Sequence, residues 1–489
     1  MASSAPALEA PAAPGFPVLG QLPAIQRDVL GAFERASRHG DVVRMDFPRL
    51  TAFLLNHPDA VRHVLVDAHR TYGKNTRGYR VLSLALGAGL VTSQGATWRR
   101  QRRIAQPSFH PQRLGRFLPV MNAAVLRMLD GWASGRDEAV DVDAEMMRLT
   151  LEIVGRCLLS TDLSADSDEV GGAITTVLHE VAHRMLHPFG APYGWPTPRN
   201  LRMRAALGRM HRLVDRIIAQ RRRSGEAPED LLTSLMTARD PETGEAMDDL
   251  QLRDEVMTMV SAGHETTANA LSWALHFLAG RPRVRARLEA EIDEVLGDEA
   301  MVGEDTLARL TYCEAVLKEA MRLRPPVWML ARSAESDDRV LGYRIPQGSY
   351  VFVCMYTLHR DPRFWRDPGV FEPERFLGER GRSIPRHLYL PFSGGPRICI
   401  GAAFAMMEAK ILLAQMVRRV RFEPVDGGEV GLDPTVTLRP KGGLRLRMCA
   451  RRGEEPLSAR RGEEPLGARR GEEPLSARRG EEPPGGPGG

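Results

Sequence analysis

Lysine is almost missing from this 489-residue chain: of 67 basic residues four are lysine and the rest arginine. With the alanine and glycine content, this suggests a GC-rich bacterial gene. Cysteine is scarce as well. The five cysteines are scattered, with no CxxC pair, which excludes a disulfide-stapled secreted scaffold and a redox dithiol and argues for a reducing compartment. No uninterrupted apolar run reaches the roughly 18 residues of a membrane span. The leading MASSAPALEAPAAPGFPVLGQLPAI lacks a basic start and is broken by proline, so neither signal peptide nor membrane anchor is expected and the expected location is cytoplasmic. The net charge of +5 is modest and its basic residues form no single block, so nothing points to nucleic acid. A GxGxxG dinucleotide fingerprint is also absent.

What is present is an ordinary globular composition, 43% hydrophobic and 26% charged, enough for a substantial core. Three regions separate. Residues 1–26 form a Pro/Ala-rich lead expected to run extended over the surface. Residues 27–449 carry the periodic patterns of a folded domain. Residues 450–489 repeat ARRGEEPLS with small variations in four copies. Each copy has at most one large apolar residue and cannot bury enough surface to offset ordering, so a disordered tail is expected. A docking arm is one reading of it, and a neutral repeat expansion tolerated at a free terminus is the preferred one.

Between the ends the pattern is mostly helical. DDLQLRDEVMTMVSAGHETTANALSWALHFLAGRP has carboxylates at its start and Gly280 and Pro282 at its end, the polarity of a helix. Some 30 residues would span about 45 Å, the width of a domain. Strand-like segments are few and cluster late, as in RVLGYRIPQGSYVFVCM. The expected class is mainly α, with a long central helix and small β-sheets.

Three motifs carry chemistry. In PFSGGPRICIG, glycines and a proline surround Cys399, and an amphipathic helix begins just after Gly401. Backbone N–H groups and the positive end of that helix favour a thiolate. A lone thiolate suits haem iron, whose other ligands the porphyrin supplies, while a buried structural cysteine fits the segment equally well. Inside the long helix, AGHETT puts Gly263 in mid-helix, at a cost of about 1 kcal/mol against alanine, beside threonines able to bond back to carbonyls. A groove beside iron and a tolerated core glycine are both consistent with it. In KEAMRLRPP, Glu319 and Arg322 lie i, i+3 on one helix face, the spacing of a surface ion pair.

Phe392, Gly395, Arg397, Cys399 and Gly401 fill the FxxGxRxCxG signature of the cytochrome P450 family, and AGHETT fills that family's AGxxT motif. With ExxR and the later Arg375, the chain resembles this family from about Gly15 to Cys449. The resemblance implies the P450 fold and haem b (iron protoporphyrin IX) with Cys399 as its metal ligand. It implies insertion of one oxygen atom from O2 into a hydrophobic substrate. Thr266 would donate a hydrogen bond to bound oxygen and Glu265 would relay protons from solvent. Glu319, Arg322 and Arg375 would form a buried triad that braces the cysteine loop. Trp98, Arg102, Arg332 and Arg397 would hold the haem propionates, with Lys74 as a weaker candidate. Electrons would come from a separate ferredoxin or flavodoxin with its reductase, and a monomer is expected.

Arg99, Arg100 and Arg103 are expected to face outward, either as a basic patch for an acidic electron donor or as a solvated helix face. Pocket segments would lie at about 72–90, 185–198, 257–261 and 327–330. Their bulk, including Phe189, Trp195, Trp328 and Met329, predicts a hydrophobic fatty acid, terpenoid or polyketide. Arg77 and Arg80 either anchor a substrate carboxylate or sit on the surface. Two rivals remain. His179, Glu180 and His183 form HEVAH, the zinc peptidase pattern, but Leu186 and Phe189 stand where its extended form needs Gly and His. A non-catalytic haem sensor is the other.

Overall fold

A computed structural model describes residues 7–132, 139–163, 167–240, 242–425 and 430–451. Its axis is the expected central helix, Asp249–Ala279, 31 residues long. Asp248 caps it by accepting from Gln251 N at 2.7 Å. Packed most extensively against it is the helix Val142–Leu158. Gly263 explains the closeness: a Cβ there would stand 3.1 Å from Val154 Cγ2, so the glycine serves helix-to-helix contact. The helices Thr311–Leu323 and Ala402–Arg419 complete the inner layer around it.

A five-stranded sheet runs Val42–Phe47, Leu50–Leu55, Tyr350–Cys354, Met329–Ala334, Tyr72–Gly73 in spatial order. The first two strands form an antiparallel hairpin with Val42 opposite Leu55, and the second pairs parallel with Tyr350–Cys354. Asp338–Val340, Tyr343–Ile345 and Tyr350–Cys354 match the late strand-rich run. The early hairpin corrects the expectation that strands cluster late. Its turn at Pro48 and Arg49, where Arg49 takes φ 61°, was the local signal. Mainly helical with small sheets, the architecture fits the expected class.

The lead is tied to the body rather than merely extended. Leu8 bridges Tyr343, Ala12 bridges Arg44, and Leu22–Arg27 is a short helix. At the other end, Ala450 closes the strand Arg445–Ala450 and Arg451 bonds Asp293 at 2.8 Å, so the first two residues assigned to the tail belong to the fold. From residue 452 onward the repeats lie outside the described residues.

Candidate functional site

Cys399 sits at the floor of a cavity between its own loop and the central helix. The loop is forced into shape locally: Gly395 takes φ 69°, and a Cβ there would stand 1.9 Å from Leu65 O. Gly395→Ala is therefore expected to cost more than about 1 kcal/mol, read as a lower midpoint in thermal denaturation. Cys399 N donates to Phe392 O at 2.9 Å, which closes the loop. Burial within the loop raises the Cys399 thiol, opposed by a hydrogen bond from the Gly401 backbone and by the charge of Arg102, although the side chain is exposed toward the cavity. A metal cation bound there would favour the thiolate, as metal ions do for coordinating thiols.

Facing the sulfur, the same cavity is lined by Thr258, Met259, Ala262, Gly263, Thr266 and Thr267 of the central helix. Three successive carbonyls of that helix each carry a hydroxyl hydrogen bond. Thr266 Oγ1 donates to Ala262 O at 2.7 Å, Thr267 Oγ1 to Gly263 O at 3.3 Å, and Thr150 Oγ1 to His264 O at 3.0 Å. The helix stays continuous, and Thr266 and Thr267 line one wall of the cavity.

Cations gather at one edge. Arg397 donates to Ser93 O at 3.0 Å and lies 4.2 Å over the Trp98 ring. Arg102 donates to Ile398 O at 2.9 Å. Arg332 is 5% exposed and reaches Tyr79 Oη at 3.2 Å. Lys74 is nearly as buried, its ammonium donating to Val91 O and lying 4.9 Å over the Tyr79 ring. Among the described residues no carboxylate pairs with any of the four. Desolvation, then the neighbouring Arg332, pushes Arg397 down to about 10. Burial, Arg397 and Arg332 lower Lys74 well below its usual value. Grouped buried cations without counter-charges are costly and fit a ligand bearing carboxylates, as the two haem propionates would supply. Phe392, Gly401, Trp98, Lys74, Arg102, Arg397 and Cys399 all line the cavity; Arg332 stands behind its cationic edge.

The loop is braced from behind by the triad. Arg322 Nε and Nη2 donate to Glu319 at 2.7 and 2.9 Å, with both side chains fully buried. Arg322 also donates to the carbonyls of His359, Pro368 and Val370, and Arg375 Nε reaches Glu319 at 3.3 Å. His359 carries the brace onward, since its Nε2 accepts from Leu390 N at 2.9 Å, just ahead of the cysteine loop.

Several expectations change. Glu265 does not open to solvent: it is 2% exposed and turned from the cavity, accepting from Thr437 Oγ1 at 2.6 Å with Arg439 at 3.9 Å. Burial, the largest influence, raises its carboxyl. Arg100 and Arg103 are not free outward charges, because Arg100 pairs with Glu245 and Arg103 with Asp240 and Glu242. Phe189 and Trp195 stand exposed, and Trp328 donates its indole N–H to Thr435 O, so none lines the cavity. Nor does Met329, which opens a sheet strand. Arg77 donates to Arg184 O and Arg80 is exposed, both outside the cavity.

The zinc reading finds no support either. His179 faces Asp433 at 3.7 Å, His183 stacks on His187 at 4.0 Å, and the described residues hold no metal-binding group of three such side chains.

Sequence reasoning missed the roof. Ala88 N and Leu90 N donate to Asp254 at 2.7 Å and Glu255 at 3.1 Å, which ties the cavity-lining Leu90 and Val91 to the central helix. Two carboxylates entering an apolar helical run were the available signal. Leu158, Leu317, Met321, Pro326 and Val327 close the walls.

Residues 11–446 match the family model described as cytochrome P450. The chain is 37% identical to cyclooctatin synthase of Streptomyces melanosporofaciens over 434 residues, covering 88% of this chain and 94% of that protein. It is 35% identical to cyclooctat-9-en-7-ol 5-monooxygenase of the same organism, covering 85% and 90%. With pentalenene oxygenase of Streptomyces avermitilis the identity is 33%, over 90% and 97%. No helix among the described residues is long and apolar enough to cross a membrane. A cysteine loop, a hydroxyl-bearing helix and a carboxylate-seeking cationic edge around one cavity, matched along nearly the whole chain, make this a haem-dependent monooxygenase of the cytochrome P450 family.

Proposed function

We propose that the chain oxygenates a cyclic terpenoid skeleton, using haem b held by Cys399 and electrons from a separate ferredoxin or flavodoxin with its reductase. The observation that carries this reading is the pairing of Cys399 and Thr266 on facing walls of one apolar cavity. Bound there, the haem would supply the activation of O2 and the oxidising power, with the thiolate favouring O–O cleavage.

The chain's own residues do the rest. Lys74, Arg102 and Arg397, with Arg332 behind them, would neutralise the two propionate carboxylates and fix the group's orientation, and Trp98 holds Arg397 in place. Leu90, Leu158, Met259 and Val327 exclude water and match a hydrocarbon surface. Thr266 releases its hydroxyl from Ala262 O and offers the proton-bearing contact at the reacting side of the cavity. Glu265, its carboxyl raised by burial, accepts from Thr437 Oγ1 behind the helix and faces Arg439. Two relatives whose names specify pentalenene and cyclooctat-9-en-7-ol favour terpenoids over fatty acids. Among the described residues, the arginines lining the cavity are Arg102 and Arg397 of the cationic edge, and neither Arg77 nor Arg80 reaches it.

A spectral titration with cyclic sesquiterpene and diterpene hydrocarbons, followed by reconstituted turnover with ferredoxin and reductase, tests the reading. Soret shifts and oxygenated products are expected. Shifts with fatty acids alone would overturn the substrate class, and binding without NADPH-dependent product would return the sensor reading. Thr266→Ala is expected to lower product per NADPH by about tenfold while reductant consumption continues. Unchanged coupling would remove Thr266 from the proton path.

A further inference from the structure

Thr150, Thr266 and Thr267 each give their hydroxyl to a carbonyl of the central helix. Thr258 does not. It lines the same cavity and is 2% exposed, yet its Oγ1 has no hydrogen-bond partner among the described residues. The hydroxyl faces the roof instead, where a Cβ on Gly89 would stand 2.1 Å from it. One turn earlier Glu255 is 1% exposed. Its Oε2 accepts from Leu90 N at 3.1 Å, while Oε1 has no partner among the described residues. Burial pushes this carboxyl up to about 7, with the Leu90 N–H opposing and the charge of Asp254 adding to the rise. Buried polar atoms left in this state are unfavourable, and a ligand that satisfies them gains accordingly.

Both oxygens belong to one end of the cavity. Glu255, Met259, Ala262 and Thr266 follow at i, i+4, i+7 and i+11, which puts them on one helix face, and the last three line the cavity. Residues three apart on a helix are neighbours, so Glu255 and Thr258 stand side by side beneath the roof residues Gly89, Leu90 and Val91. The walls between this end and the cysteine are apolar, with Leu158, Met259, Ala262, Leu317 and Val327. Threonine in a helix divides between two χ1 rotamers, so a single rotation carries the Thr258 hydroxyl from Gly89 toward the cavity.

One functional group completes both orphans. An alcohol donates to Glu255 Oε1 and accepts from Thr258 Oγ1, whereas a carbonyl only accepts, an ammonium only donates and a hydrocarbon does neither. We infer that Glu255 and Thr258 form a hydroxyl-binding end of the cavity, and that the preferred substrate is a cyclic terpenoid already carrying an alcohol. This rests on the terpenoid reading above and narrows it. Thr258 and Thr266 lie about 12 Å apart along the helix axis at 1.5 Å per residue. The alcohol is therefore held at the end of the skeleton opposite the carbon to be oxygenated, and the substrate arrives as the product of an earlier oxygen-introducing step.

The experiment is a Soret titration of the haem-loaded full chain with probes that share a skeleton and differ in oxygen: cedrane and cedrol, then abietadiene, abietadienol and abietadienal. The alcohols are expected to bind about tenfold more tightly than their hydrocarbons, with the aldehyde close to the hydrocarbon. Thr258→Val, which deletes only an unpaired hydroxyl, is expected to bring that ratio near one while the thermal midpoint and the carbon monoxide difference spectrum stay as in the parent. Glu255→Gln keeps an acceptor for Leu90 N and turns an N–H to the other side, so the aldehyde is expected to gain on the alcohol. Equal affinity of alcohol and hydrocarbon in the parent would overturn the inference, as a resident water would then fill the site, and would leave the terpenoid reading standing. An alcohol preference unchanged in both variants would overturn it too. No Soret shift with any of the five probes would overturn the terpenoid reading and this inference with it.

Discussion

Cys399→Ala is expected to erase the carbon monoxide difference band typical of thiolate-ligated haem and to reduce product formation to background. The argument is one of supply. Cys157, Cys313 and Cys354 are buried in other parts of the fold, with their thiols pushed up by burial, and Cys449 lies on the strand Arg445–Ala450. None of these cysteines lines the cavity, so no other thiolate can substitute, and the methionines that line it carry no charge to restore the thiolate band. The cationic edge would remain, so haem is expected to be retained in part without its characteristic band. A band persisting in the variant would remove Cys399 from the ligand position.

Removing Glu319 as Glu319→Ala should destabilise the protein by about 3–5 kcal/mol, because it strands the guanidinium of Arg322 in a fully buried site. Many buried pairs tolerate joint replacement by apolar residues of similar volume. This one should not. Arg322 also satisfies the carbonyls of His359, Pro368 and Val370, and Glu319 accepts from Glu372 N at 2.9 Å as well as from Arg375. Glu319→Met with Arg322→Met would leave those groups unpaired at about 1–3 kcal/mol each. The double variant is therefore expected to be no more stable than Glu319→Ala in urea denaturation, and to bind less haem. Recovery of parental stability would show that the triad's backbone contacts are dispensable. The effect reaches the cysteine through His359 and its bond to Leu390 N.

Much of this site was readable before any fold. The cysteine loop, the 31-residue central helix and the ExxR pair each announce themselves within a few residues, through glycine positions, capping carboxylates and an i, i+3 spacing. Partners separated by long stretches of chain were not readable. Arg103 looks like one of a row of free charges in WRRQRR, and its neutralising Asp240 comes 137 residues later. Glu265 is adjacent to Thr266 in sequence, yet the two point to different sides of the helix, because successive residues on a helix are turned by about 100°. Trp195 and Phe189 read as pocket-filling bulk, and the polar brace from Asn200 and Arg204 turns them outward.

From the sequence the reaction class was legible through resemblance, since the cysteine loop, AGHETT and ExxR are local patterns that match a family's motifs, while the residues alone left each of them open. Tertiary structure alone decided what surrounds them. It brought four cations from four segments to one edge, tied the roof to the central helix through Asp254 and Glu255, and left Phe189 and Trp195 in solvent. The physical reason is that burial and charge pairing depend on which distant segments meet, and only packing sets that.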